Sequence, residues 1–128
     1  MFRQENNTDG NLGARAEQWA QQYLKNQGLN IVTNNYRTPQ GEIDRIMREG
    51  NTLVFVEVRL RSARTFGSAA ESIDARKQQR LIRAAKHYLQ AEEIWDQVPC
   101  RFDAICLGKD PDNSNKYQVE WLRNAFST

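Results

Sequence analysis

The sequence predicts an α/β domain in which one mixed β-sheet carries helices packed on it. Three observations predict this. Two stretches repeat apolar residues at helical spacing. Five shorter runs rich in β-formers are separated by Gly, Pro, Asn and Asp turns. Their order is helix, three strands, helix, two strands, which suits a single mixed sheet covered by helices. With 128 residues the chain is about one domain. It is long enough to bury a core without disulfides or a structural metal.

Residues 1–10 are rich in Asn, Gln and Asp and read as a frayed lead-in. Leu12, Ala16, Trp19, Ala20, Tyr23 and Leu24 then predict a first helix, with Gly28 as its stop. Leu29 to Tyr36 reads as a strand and Thr38-Pro39-Gln40-Gly41 as a turn. Glu42 to Arg48 and Leu53 to Arg61 follow as second and third strands, and Ser62 to Ser72 as a loop. Asp74 to Ala91 predicts a long amphipathic helix whose apolar face carries Leu81, Ile82, Ala85, Tyr88 and Leu89. Arg101 to Leu107 is a fourth strand, Asp110 to Asn113 a turn, and Tyr117 to Leu122 a closing strand.

An apolar fraction of 39% and a charged fraction of 27% fit a soluble globular domain. No run is apolar enough to span a bilayer, and Met1 to Gly10 lacks an apolar h-region. The expected location is therefore the cytoplasm. Cys100 and Cys106, on one strand, lie about 20 Å apart, too far for a disulfide. Without a Cys-x-x-Cys pair and with His87 as the one histidine, zinc sites and histidine-based triads are disfavoured. Any chemistry is expected to run on carboxylates.

Two carboxylates stand out. The third strand is apolar on both faces, as a central strand covered twice would be, yet contains Glu57 on the side of Leu53 and Phe55. A buried carboxylate needs a partner. A two-residue turn at Gly50-Asn51 pairs Glu49 with Thr52. Counted back along both strands, that register sets Asp44 opposite Glu57 and Glu42 opposite Arg59. Directly opposed β-carbons lie roughly 5 Å apart. Two carboxylates there repel unless they share a proton or hold a hard cation such as Mg²⁺. The residues equally allow Glu57 to join a structural ion network with Arg59 or a neighbouring arginine.

The formal charge of +2 hides an asymmetry. Arg59 to His87 carries eight Lys and Arg against Glu71 and Asp74, a net +6, which leaves −4 for the rest. Arg76, Arg80, Arg83 and His87 form one stripe of the long helix, either a ridge for phosphates or a solvated face. Gln78 falls on the apolar face, where it orients a water or phosphate or caps a backbone group. Glu17, aligned with Ala20 and Leu24, reaches either the sheet or solvent.

The series Gly41-Glu42-Ile43-Asp44, Val54-Phe55-Val56-Glu57-Val58-Arg59, Phe66-Gly67, Lys77-Gln78, Tyr88-Leu89 and Arg101-Phe102-Asp103-Ala104-Ile105 resembles the YraN family of small bacterial proteins. That family is similar to Holliday-junction resolvases and to the PD-(D/E)XK nucleases. The likeness spans Gly13 to Leu107. It implies a restriction-endonuclease-like core with Mg²⁺ or Mn²⁺ at the sheet edge, held by Asp44, Glu57, the Val58 carbonyl and the helix-one Glu17. It also implies catalytic roles for Asp44, Glu57, Arg59 and Gln78. Arg59 stands where a lysine is usual and is a poor proton acceptor. It could still stabilise transition-state charge. Arg45 likewise replaces a usual apolar residue.

The function so implied is a metal-dependent endonuclease acting on DNA, branched or structured forms included. Arg61, Arg64, Lys77, Arg80 and Arg83 would position the backbone. The alternatives are a non-catalytic nucleic-acid-binding module and an interaction domain whose acidic pair is an ion network. A branched substrate would suit a homodimer. Trp95, Trp121 and Phe126 are candidates for an interface or for ordinary edge packing.

Overall fold

The computed structural model describes residues 8–61, 73–110 and 112–127. The elements are α1 (Thr8–Asn26), β1 (Asn30–Thr38), β2 (Gly41–Glu49), β3 (Thr52–Arg61), α2 (Ala75–Ala91), β4 (Cys100–Asp110) and β5 (Asn113–Phe126). The five strands form one sheet in chain order, β1 to β5. Only β3 and β4 run parallel; the other neighbours are antiparallel. This is the mixed α/β sheet expected, and it is consistent with a restriction-endonuclease-like core.

Two hydrophobic layers hold it. Leu81, Ile82, Ala85 and Tyr88 of α2 pack on Ile46, Leu53, Phe55 and Phe102. Ala16, Ala20 and Leu24 of α1 pack on Met47, Val54, Val56 and Ile105 from the other side. β3 is therefore covered twice, as its double-sided apolar pattern predicts. Leu60, at the strand's far end, stays 49% exposed because it runs past that cover. No helix among the described residues is long and apolar enough to cross a membrane.

The β2–β3 register matches the turn-based count. Glu49 pairs with Thr52, Met47 with Val54 and Arg45 with Val56. Gly50 makes it possible by taking φ +59, the positive value a two-residue hairpin turn demands.

Several boundaries move. α1 begins at Thr8, so the expected frayed stretch is too long; a polar first turn carries no apolar period to read. β4 and β5 extend to a tight hairpin that pairs Asp110 with Asn113. Their polar ends join the ladder through backbone groups, which hydropathy does not register. Cys100 and Cys106 form no disulfide with each other. Of the three aromatic interface candidates, Trp121 Nε1 donates to Asp103 and Phe126 stacks on Phe102. Trp95 stays exposed.

Candidate metal and phosphate site

The regular β2–β3 pairing stops at Arg45 and Val56, and beyond it the two strands meet through a side chain. Asp44 Oδ2 accepts the Val58 N–H at 2.9 Å. A strand residue points its N–H and C=O to the same side. The Val58 carbonyl therefore faces the same place, beside Asp44. Glu42, expected opposite Arg59, instead pairs across the β1–β2 ladder with Arg37, at 3.2 Å.

Glu57 emerges on the α2 face of β3 with its side chain only 4% exposed. Lys77 Nζ lies 3.1 Å from Glu57 Oε2, and an Arg59 guanidinium nitrogen 3.6 Å from it. Two cations do not compensate the burial. The Glu57 carboxyl is pushed up to about 8, first by desolvation and then by the charge of Asp44, with Lys77 opposing. At neutral pH the metal-free Glu57 carboxyl thus keeps its proton.

A second layer fixes this pair from the α1 side. Arg45, buried, reaches α1 and donates to Gln21 Oε1 at 2.7 Å and Glu17 Oε1 at 3.1 Å. It also donates to its neighbour's carbonyl, Asp44 O, at 2.8 Å. Glu17 is held above the usual carboxylate range by burial and by the charge of Asp44, with Arg45 opposing. It is close enough to feel Asp44, yet its carboxylate is taken up by Arg45. Among the described residues no group of three or more His, Cys, Asp or Glu side chains could hold a metal. The ligand role that the resemblance implies for Glu17 would require it to exchange its Arg45 partner for a cation.

The start of α2 supplies the cations. Asp74 caps the helix by accepting the Lys77 N–H at 2.9 Å. Gln78 Nε2 donates to the Ile73 carbonyl, so its described contact is the backbone-capping alternative. Arg59, Arg76, Lys77 and Arg80, with Asp74, line an open recess of about 300 Å³ next to Glu57. Arg83 continues the exposed stripe, while Arg61 is paired with Glu120 at 2.9 Å. Arg64 and the Phe66-Gly67 step lie outside the described residues.

Gly41 sets how near α2 sits. A β-carbon there would fall against the backbone carbonyl of Arg80, at 2.3 Å. No residue but glycine fits without parting β2 from α2. Gly41→Ala is expected to cost about 1–3 kcal/mol, read as a lowered midpoint in urea unfolding. An unchanged midpoint would refute the close approach.

The sequence reading missed two things. The sequence puts Lys77 among the cations that position a nucleic-acid backbone, although at about 100° per residue it falls between Arg76 and the Leu81/Tyr88 edge of the apolar face. That offset was the signal that it points toward the sheet. The other is a buried network around Asp103, whose carboxylate accepts from Arg101 Nε, Trp121 Nε1 and the Asn124 N–H. Arg101 also reaches Glu49 at 2.7 Å. An Asp inside an apolar strand was the available signal.

The geometry can be set beside known proteins. The model of the uncharacterised protein family UPF0102 matches residues 16–107. The chain belongs to that family. A UPF0102 protein of Nitrosomonas europaea is 52% identical to it over 117 residues, covering 91% of this chain and 94% of the relative. One of Methylobacillus flagellatus is 51% identical over 117 residues, covering 91% and 96%. One of Pseudomonas aeruginosa is 45% identical over 114 residues, covering 89% and 90%. The UPF0102 match takes in the buried face of α1, the acidic pair, the cationic recess and β4 through Leu107. It leaves out β5.

Proposed function

We propose that this protein is a Mg²⁺- or Mn²⁺-dependent phosphodiesterase acting on DNA, branched or structured forms included. The observation that carries the reading is the Asp44–Glu57 pair. Burial and the charge of Asp44 make Glu57 costly to ionise without a further cation, and the pair lies beside a recess of cations. The donor set fits a hard divalent cation: two carboxylates, with the Val58 carbonyl turned to the same side. When bound, such a cation supplies Lewis-acid activation of phosphate and water.

The chain's own residues have separable tasks. Asp44 and Glu57 would hold the cation, and Arg45 with Glu17 and Gln21 fixes the strand that presents Asp44. Arg59 keeps its charge at any accessible pH, so it can neutralise phosphate but not move a proton. Lys77 is a compact cation held beside Glu57, where it can meet a phosphate oxygen. Gln78 pins the first turn of α2 through Ile73. Arg76, Arg80 and Arg83 face solvent on one side of α2 and suit backbone phosphates.

Cleavage of branched and linear DNA in Mg²⁺ or Mn²⁺ tests this. Asp44→Asn and Glu57→Gln should each lower the rate by about 100-fold or more, and Lys77→Arg by a similar factor despite its retained charge. Wild type inactive on every substrate, or variants as active as wild type, would sink the reading. The contacts of Lys77 and Arg59 with Glu57 favour one second reading, a non-catalytic DNA-binding module in which the pair is an ion network. Its mark is DNA binding that survives EDTA, falls steeply with salt and ignores Asp44→Asn.

A further inference from the structure

Two of the four recess cations are committed elsewhere. Lys77 and Arg59 line the recess and also touch Glu57, at 3.1 and 3.6 Å. Arg76 and Arg80 are exposed, with no ion pair among the described residues. The acid in the lining, Asp74, already caps α2. The recess therefore has two free cations and two on loan to a buried carboxylate. A phosphate entering it competes with Glu57 for Lys77, and a carboxyl whose side chain is 4% exposed has little water to replace that contact. A divalent cation at Asp44 and Glu57 removes the competition.

We propose that the recess is a DNA-phosphate subsite coupled to the acidic pair through Lys77 and Arg59: a divalent cation at the pair releases both side chains to the phosphate, and bound phosphate tightens the cation in turn. This rests on the reading of Asp44 and Glu57 as a cation site. Reciprocity is a thermodynamic requirement, since each ligand must shift the other's affinity by the same factor. Arg76 and Arg80 give the subsite its affinity in both states, while Lys77 and Arg59 give it its dependence on metal.

The test is the affinity of a short fluorescent DNA duplex in EDTA and in Ca²⁺ at matched ionic strength, by anisotropy. Competition of Ca²⁺ for the DNA phosphates alone weakens the complex. The coupling makes Ca²⁺ strengthen it, by about 10-fold, and saturating duplex should raise Ca²⁺ affinity by the same factor in calorimetry. Glu57→Ala separates the coupling from a general change of charge. It removes the partner of Lys77 without metal, so this variant should bind duplex in EDTA as tightly as wild type does in Ca²⁺ and should not respond to Ca²⁺. Asp44→Asn alters the cation site but leaves Glu57 to Lys77, so it should gain little in EDTA. Arg76→Ala/Arg80→Ala, on exposed positions, should lose duplex affinity while binding Ca²⁺ as wild type does. Ca²⁺ binding without tighter duplex binding, or equal gains in the two carboxylate variants, would overturn the coupling and leave the cation site standing. Failure of Ca²⁺ to bind would remove the cation site itself.

Discussion

Glu57→Gln is expected to make the metal-free protein more stable, and the more so the higher the pH. The Glu57 carboxyl titrates near 8 in the folded chain against 4.5 when free. Folding thus favours the protonated form. Its contribution is fully present below about pH 4.5 and is lost as pH rises through about 8. Carried over that whole interval, the loss is on the order of 5 kcal/mol. With relaxation of the site, about 2–4 kcal/mol should be recovered by the neutral amide at pH 9, or roughly 10 °C in melting temperature. Melting curves in EDTA between pH 5 and pH 9 give the comparison: wild type should fall with pH and Glu57→Gln stay level. Equal melting temperatures at pH 9 would mean that Glu57 is not strained. A residue that lowers stability in the fold yet sits beside a cationic recess is what a site kept for chemistry looks like.

Asp103→Ala should do the opposite, costing about 3–5 kcal/mol at every pH where the protein is folded. The Asp103 side chain is 0% exposed, and its two oxygens take three donors from three positions. Truncation leaves the part-buried Trp121 Nε1–H and the Asn124 backbone N–H without their acceptor and Arg101 with Glu49 alone, although one Arg101 nitrogen is already buried without a partner. Chemical unfolding should show the loss as a lowered midpoint with an unchanged slope. A loss under about 1 kcal/mol would contradict a structural role for this network. Glu49, held below the usual carboxylate range by hydrogen bonds from Arg101 and Arg123, places the same network's sensitivity at acid pH. Its contribution is kept above the unfolded value and lost as pH falls through the folded one. Two buried acids on neighbouring strands therefore differ in kind: Asp103 is satisfied and holds β5, whereas Glu57 is not and opens toward α2.

The contrast also marks how far the sequence carries. The register that brings Asp44 to Glu57 was legible because it depends on a two-residue turn and on strand alternation, both local. The same locality made the double cover of β3 and the apolar face of α2 readable. What escaped depends on how elements dock. Arg45 was visible as an oddity, but its partners Glu17 and Gln21 lie on a helix whose placement over the sheet no local pattern fixes. Lys77 reads from the sequence as one more cation for the nucleic-acid backbone, because summing charge along a helix ignores which neighbour each side chain meets. Gly41 looked like a turn residue, and its second constraint, the Arg80 carbonyl, comes from α2 some forty positions on.

The central claim is that Asp44 and Glu57 take a divalent cation in exchange for the proton that Glu57 holds. Calorimetric titration of Mn²⁺ at pH 7, repeated in two buffers of different ionisation enthalpy, counts that proton directly. Saturable binding should release close to ~1 proton per cation in the wild type. Glu57→Gln should bind more weakly and release essentially none. Absence of Mn²⁺ binding, or binding with the same proton count in Glu57→Gln, would contradict it.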